Sequence, residues 1–571
     1  MSMIFRGRGV SDGLAMAEIL VLGRARLHVP DGPAGEPEEE LRRLERGLEQ
    51  TRDRLQRLRT EAAEKLGEKE AEIFDAHLTV LEDEYSVVEP MRELIRTQGL
   101  SAPQAVERQF DELSEMFRSL GDALMAERAA DTQDLKEQLL RALLGEEDGG
   151  ACDLDRNVIV LAEELLPSDT VRMDLSHVVG LATHLGGATA HTAIIARTLG
   201  IPAVVGLEGW EEISSGTEAI LDGGAGTLTV SPGEAEREAF RRSDAARQEE
   251  EQSLAAFRAM PTATADGKRF ELFANIGSPG EVKAALEQGA EGVGLFRSEF
   301  LFMDRADLPG EEEQFEAYRQ AVERMEGRPV IIRTLDVGGD KKLPALPLPQ
   351  EENPFLGCRA VRMTLKRPDV FLPQLRSLLR AAAYGDLSVM FPMISGLEEL
   401  RAAKAMLEQA REQLKAEGVP TGRVKVGIMV EIPAAALMAE RLAREADFFS
   451  IGTNDLIQYT LAAERGNENV AGLYTAYHPA VLRLIAATAR AAEAAGIPCG
   501  MCGEAAGDPL LTAALLGMGV GELSMSPRLI PRVRRLIGGL TLEQCRARAR
   551  ELLSQSDEGA VRTFLMSQEN V

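Results

Sequence analysis

The spacing of apolar residues changes several times along the chain, and each change predicts a different kind of structure. Residues 3–23 (MIFRGRGVSDGLAMAEILVLG) read as short strands about a glycine turn. From about residue 38 to 144 the spacing becomes helical. Leu41, Leu44, Leu48, Leu55 and Leu58 recur at intervals of three, four and seven, with mostly Arg, Glu and Gln between them, which predicts one amphipathic helix. Ile73, Phe74, Leu78 and Leu81 mark a second, Val106, Phe110, Leu113, Phe117 and Leu120 a third, and Leu135, Leu139 and Leu143 a fourth. Pro90, Gly99, Gly121 and Gly145 are candidate breaks.

Between 152 and 230 short apolar runs return (NVIVLAEEL, VVGLATHLGG, PAVVGL, EAILDGGAGTLTV), predicting a compact α/β domain. The run EAEREAFRRSDAARQEEEQSLAAFRAM has no glycine or proline after Gly233, so it predicts a long exposed linker helix rather than a loose tether. Beyond Phe270 come ELFANIG, GVGLFRSE, VIIRTLD, LSVMFPM, KVGIMVE, DFFSIGTND, IPCGMCG and ELSMSP, separated by helical stretches. Such a series predicts a (β/α)8 TIM barrel, and the polar residues at the trailing ends of the runs would then lie on its catalytic face.

Composition narrows the function. The 571 residues carry 92 acidic and 64 basic side chains, a net charge of −28, which disfavours nucleic acid and favours a basic protein partner. The five cysteines are scattered, no signal pattern is present, and no apolar run approaches a membrane span, so a reduced, soluble, cytoplasmic protein is expected. Cys499 and Cys502 spell C-x-x-C, but in an extended strand they point to opposite faces, and no second ligand pair follows. A redox or zinc pair is therefore disfavoured.

The stretch around which the chain is organised runs from Gly186 and Gly187 through His191 to Arg197. His191 falls in the first turn of a predicted helix, where free N–H groups and the helix dipole favour an anion on the ring. The plain alternatives are a surface or capping histidine and a tight packing turn. The phrase GGATAHTAIIARTLGIPAVVG closely resembles the phosphohistidine segment of phosphoenolpyruvate-using phosphotransferases. Over its full length, the chain resembles the Enzyme I family of the bacterial sugar phosphotransferase system, the phosphoenolpyruvate–protein phosphotransferases.

That resemblance implies a division of the chain. Residues 1–32 and 146–230 would form a discontinuous swivelling phosphohistidine domain, 33–145 an inserted helical subdomain that docks the phosphocarrier HPr, and 231–260 the linker helix. Residues 261–571 would form the phosphoenolpyruvate-binding barrel and a homodimer contact. The strings EAEIFDAHLTVLEDE and AERAADTQDLKEQLL carry the likeness of the helical insert; His77 in the first is expected at an interface or simply exposed. Three positions depart from the family phrase: Ala188 where Arg is common, Ala190 where Ser is common, and His184 where an acidic residue often precedes the glycines. They could weaken phosphoryl stabilisation or alter partner preference.

Phosphoenolpyruvate carries several negative charges, which guanidinium forks bind bidentately, so Arg297, Arg333 and Arg465 are the expected clamp. Lys341 and Arg359 rank second. Each arginine alone could instead be a rim ion pair. Glu431 and Asp455 suit an oxygen-only Mg²⁺ site, or else partners for those arginines, and Asn454 can donate to the phosphate. The resemblance places Cys502 as proton donor to the enolate; an inert buried cysteine is the alternative. Cys358 stands where the family usually has Trp or Tyr, a change of packing rather than of chemistry.

The expected reaction is a relay from phosphoenolpyruvate to His191 and then to HPr. The dikinase and synthase relatives need a nucleotide-binding domain for which no Walker A phrase or room before residue 150 exists. A regulatory or non-sugar paralogue with a different carrier is the remaining alternative.

Overall fold

The structure, a computed structural model, describes residues 2–22, 27, 29–30, 34–65, 68–119, 123–145, 154, 156–185, 191–303, 305, 307–339, 343, 345–346, 351–465, 467 and 469–567. The chain forms two compact units, Met1–Gln248 and Glu249–Val571.

The first unit is built on an eight-stranded mixed sheet. Its strands are β1 (Met3–Arg6), β2 (Arg8–Ser11), β3 (Leu14–Leu22), β4 (Val158–Ala162), β5 (Val178–Thr183), β6 (Ala203–Val205), β7 (Glu218–Asp222) and β8 (Thr227–Val230), in spatial order β1-β8-β7-β3-β4-β5-β6-β2. β3 to β6 run parallel, and β4 (VIVLA) is buried along its whole length, as a strand covered on both faces must be. Glu18 pairs with Val158 and Met3 with Val230, so the chain's opening segment is stitched to strands far along the sequence.

Between β3 and β4 lie α1 (Pro37–Lys65), α2 (Glu68–Leu81), α3 (Glu89–Gln98), α4 (Ala102–Ser119) and α5 (Ala123–Leu144). Leu44, Leu48, Leu55 and Leu58 are buried with Phe74, Met91, Val106, Phe110 and Leu139 in one apolar core. The spacing predicts four helices here, and the structure adds α3. Pro90 does not end a helix but sits in the first turn of this one, where its missing N–H costs nothing. The expectation for His77 is also corrected. Its side chain is buried, edge-on to Phe74 with ring centroids 5.8 Å apart, and Nε2 lies 3.9 Å from Asp131. Helix α6 (Pro167–Arg172) precedes β5, and α7 (His191–Leu199) follows it. The charged run after Gly233 is helical as α8 (Glu234–Ala255) and buries none of its side chains.

The second unit holds a closed barrel of eight parallel strands: β9 (Glu271–Ile276), β10 (Gly292–Arg297), β11 (Val330–Arg333), β12 (Leu387–Phe391), β13 (Lys425–Val430), β14 (Phe449–Ile451), β15 (Cys499–Met501) and β16 (Glu522–Met525). All eight predicted runs are strands. Alternate residues face opposite sides: Leu272, Val293, Ile332, Val389, Ile428, Phe449 and Leu523 pack outward in the core shared with the helices. Leu295, Ile331, Met390, Met429, Phe448 and Cys502 cluster inside. Residues of this inward set just past the strand ends therefore converge on one mouth. No described helix is long and apolar enough to cross a membrane.

Candidate functional site

In the first unit, α7 begins at His191, and Ala193, Ile195 and Ala196 are buried against the sheet. The period of these residues fixes the helix and leaves its first turn at the end of the β5–α7 connection. Residues 186–190, with the departures Ala188 and Ala190, lie outside the described residues, as does the His191 side chain. His184 is described: its Nδ1 lies 2.7 Å from the Leu207 carbonyl oxygen, and its ring stacks on Trp210. One ring nitrogen is thus committed to structure.

In the second unit, a cavity of about 240 Å³ opens at the trailing ends of the strands. Arg297, Arg333, Glu431, Asn454, Asp455, Arg465 and Cys502 all line it. Arg359, ranked second from sequence, lines it too, together with Glu299, Asp336 and Glu504, which sequence reasoning missed. Asp336 had a legible signal, since it follows Arg333 by three residues in IIRTLDVGGDK. Lys341 lies outside the described residues. Cys358 is absent from the wall; it packs beside Phe302 and Leu335, with Sγ 3.6 Å from Lys366 Nζ.

The arginines are held differently. Arg333 is buried, with Nη2 2.5 Å from Glu299 and Nη1 3.0 Å from Asp336. Arg359, 1% exposed, donates to Asp336 at 2.9 Å and to the Tyr459 hydroxyl at 3.2 Å, and lies 3.4 Å from Asp455. Burial alone would lower both guanidinium pKa values. For Arg333, Glu299 and Asp336 overcome it, for Arg359, Asp336 and Asp455 do, and both end above their usual range. Among the described residues, the Nε of each is buried without a hydrogen-bond partner. Arg297 has no ion pair or side-chain hydrogen bond among the described residues. A rigid pair and an uncommitted fork thus share one cavity, a geometry suited to a small polyanion.

Asn454 and Glu504 lock each other: Asn454 Nδ2 donates to the Glu504 carboxylate at 3.1 Å, and the Glu504 amide donates back at 3.0 Å. One Asn454 N–H remains for a ligand. Glu431 accepts from the Met393 amide at 2.6 Å. Burial, then the neighbouring charges of Asp455 and Asp336, push its pKa up to about 8.

The wall holds five carboxylates (Glu299, Asp336, Glu431, Asp455, Glu504) against four guanidinium groups. With Glu431 protonated the charges balance, and a divalent cation beside Glu431 and Asp455 would displace that proton and offset the charge of an anionic substrate. No group of three or more His, Cys, Asp or Glu among the described residues is placed to hold a metal. Such a cation would therefore take most of its oxygens from substrate and water, as Mg²⁺ commonly does.

Cys502 is buried, its Sγ 3.9 Å from the Ile451 carbonyl oxygen. Burial lifts its pKa to about 12, with the Ser450 hydroxyl partly opposing. It is thus a thiol, able to give a proton. Cys499, on the same strand, faces the outer core, and the two are unpaired.

Family models match three segments: the N-terminal domain of PEP-utilising enzymes over residues 6–128, their mobile domain over 154–226, and their PEP-binding domain over 251–541. The phosphoenolpyruvate-protein phosphotransferase of Priestia megaterium is 44% identical over 569 residues, covering 99% of both chains. That of Geobacillus stearothermophilus is 45% identical, covering 95% of this chain and 94% of its own. That of Bacillus subtilis is 42% identical, covering 98% of each.

Proposed function

The chain belongs to the PEP-utilising enzymes, among the phosphoenolpyruvate–protein phosphotransferases, and from that premise we propose how its residues carry the phosphoryl group. It is an enzyme that moves the phosphoryl group of phosphoenolpyruvate to protein, releasing pyruvate. The acceptor is His191 at the start of α7, whose free N–H groups favour the phosphorylated ring. The phosphohistidine then passes its group to a basic HPr-type carrier, to which a net charge of −28 is complementary.

The observation that carries this reading is the convergence of Arg297, Arg333, Arg465, Asn454, Asp455, Glu431 and Cys502 on one cavity at the strand ends. Arg297 and Arg465 supply forks for the phosphate and carboxylate. Arg333 and Arg359, already fixed by Glu299, Asp336 and Asp455, need little reorganisation as charge shifts along the transferring bond. Glu431 and Asp455 would hold Mg²⁺, which supplies neutralisation of phosphoryl charge. Departure of the phosphoryl group leaves an enolate. The buried Cys502 thiol gives its proton to the enolate methylene carbon, forming the pyruvate methyl group.

Incubation of the full chain with phosphoenolpyruvate and Mg²⁺, without carrier, should yield one pyruvate and one acid-labile phosphoryl group per chain by intact mass. The gain should vanish in His191→Ala and persist in His184→Ala. A folded wild type that gains no phosphoryl group would refute the reading, and loss in His184→Ala alone would move the acceptor.

A further inference from the structure

Directly below Cys502 the barrel holds an acid that the mechanism above does not use. Glu522 is 8% exposed at the start of β16, and its Oε1 is buried with no hydrogen-bond partner among the described residues. Ser450 on β14 is fully buried beside the Cys502 thiol, whose pKa its hydroxyl holds down. Leaving a buried carboxyl oxygen unsatisfied is costly, so a position that keeps one invites a reason.

The strand register shows where they meet. Ser450 pairs with Gly500, and Gly500 with Glu522, so the three lie side by side in one layer of the barrel. Gly500 has no side chain, and the Glu522 carboxyl occupies that space: a Cβ on Gly500 would lie 2.0 Å from Glu522 Oε2. Opposite, a Cβ on Gly294 would lie 2.5 Å from Glu522 Oε1. Two glycines on different strands thus make room for one carboxyl group inside the barrel.

Cys502 is two residues beyond Gly500, on the same face and about 7 Å further up the strand. Ser450, one strand-spacing of about 4.8 Å from Gly500, borders both the carboxyl and the thiol. Above this layer, Asn275 Nδ2 donates to the Cys502 carbonyl oxygen at 3.0 Å.

We propose that Glu522 is the proton reservoir of the barrel, recharging Cys502 through Ser450 after each protonation of the enolate. The inference rests on the reading of Cys502 as proton donor. As the C–H bond of pyruvate forms, the S–H bond of Cys502 breaks and leaves a thiolate. The thiolate takes the Ser450 hydroxyl proton while Ser450 takes the proton of the neutral Glu522 carboxyl. Water then reprotonates the Glu522 carboxylate, so each turnover consumes one solvent proton. Burial, with Glu271 beside it, holds the Glu522 pKa up at about 8, so the carboxyl carries a proton at neutral pH.

The groups around the acid suit this direction of flow. Glu271, exposed at the start of β9, is the register partner of Glu522. Phe270, Cys499 and Gly521, which adjoin Glu271, Gly500 and Glu522 in sequence, line a cavity of about 310 Å³ at the N-terminal ends of the strands. Arg333 and Glu431 stand on the substrate side of Cys502 and complete its charged surroundings. Exposed Glu271 beside Glu522 thus brings the acid next to solvent on the side away from the bound substrate. Glu522 touches no substrate; it is a positioning residue for the Cys502 proton.

Equilibrium exchange isolates this role without any carrier. The full chain is incubated with phosphoenolpyruvate, Mg²⁺ and pyruvate that is both radiolabelled and deuterated at the methyl group. Passage of radiolabel into phosphoenolpyruvate reports the phosphoryl half-reaction and its reverse. Loss of deuterium from the methyl group reports exchange of the Cys502 proton with solvent.

In the wild type each passage should lose its abstracted deuteron to solvent. In Glu522→Gln and in Ser450→Ala the deuteron should return to the carbon, and deuterium loss per passage of radiolabel should fall about tenfold. An unchanged ratio in the two variants would overturn the proposal, including the case in which both rates fall together, which a merely structural role predicts. Radiolabel passage itself reports folding, so a variant that does not fold is recognised and the other decides. Absence of radiolabel passage in the wild type would instead refute the phosphotransferase reading.

Discussion

The barrel mouth and the helical bundle both carry many ion pairs, but burial makes them different objects. At the mouth, Arg359 and Asp336 have side chains 2% and 1% exposed, joined at 2.9 Å. On the bundle, Arg52 and Glu82 meet at the same 2.9 Å with side chains 43% and 52% exposed. The first pair has lost its water and is bound to a network with Asp455, Tyr459 and Arg333. The second keeps its water. Buried charge is a poor source of stability but a good source of fixed geometry, so the costly pairs lie where a reaction needs unmoving charges.

The sharpest way to break that contrast is Arg359→Met. Removing Arg359 leaves Asp336 with Arg333 but takes one of its two guanidinium partners and the cation beside Asp455, so unfolding free energy by denaturant titration should drop by about 3 kcal/mol. Pyruvate release from phosphoenolpyruvate should fall by at least about 10²-fold, the effect of deleting one fixed donor. If stability fell and release did not, Arg359 would be only an ion-pair partner.

Glu522 tests a third condition, a buried acid with no cationic partner among the described residues. Its carboxyl holds a proton to about pH 8 in the folded chain, against an ordinary 4.5, because burial and then Glu271 disfavour the anion. The folded state therefore binds more protons than the unfolded one between these values. The resulting stability is fully present below pH 4.5 and is lost as the pH rises through 8. Glu522→Gln has no proton to lose. Relative to wild type it should gain stability as the pH rises from 5 to 8, by roughly 3–4 kcal/mol, and level off above that. Melting curves across that range check the sign; a constant difference would mean the carboxyl titrates normally.

These regimes also explain what the sequence could and could not reveal. The barrel runs were legible because both faces of each strand are buried, which leaves continuous apolar phrases such as VIIR and LSVMF. Arg297, Arg333, Glu431, Asp455 and Cys502 were legible because each stands at or just past the trailing end of such a phrase, whereas Arg465, beyond the helix that follows β14, was legible only through the family phrase AERGN. Arg359 and Asp336 were underrated: their importance lies in a pairing across 23 residues that no spacing rule exposes. Helix α3 was missed because Pro90 reads as a break when its helical neighbours are unknown. His77 read as interfacial or exposed amid charged residues, yet its helix turns it toward Phe74 and the bundle core. Glu522 was invisible, since only the register across Gly500 shows that a carboxyl fills the space a side chain would take.

The smallest effect closes the contrast from the other side. Arg52 and Glu82 connect α1 to the residue just after α2 through solvent-exposed atoms. A double-mutant cycle with Arg52→Gln and Glu82→Gln should give a coupling of about 0.5 kcal/mol. At 1 M salt, where screening acts over about 3 Å, that coupling should shrink toward zero. The same salt should leave the Arg359–Asp336 coupling nearly unchanged, because ions do not reach it. A surface coupling that equalled the buried one and ignored salt would show that burial is not what separates the two regions. Persistence of the buried coupling alone would tie the fixed charges of the mouth to their exclusion from water.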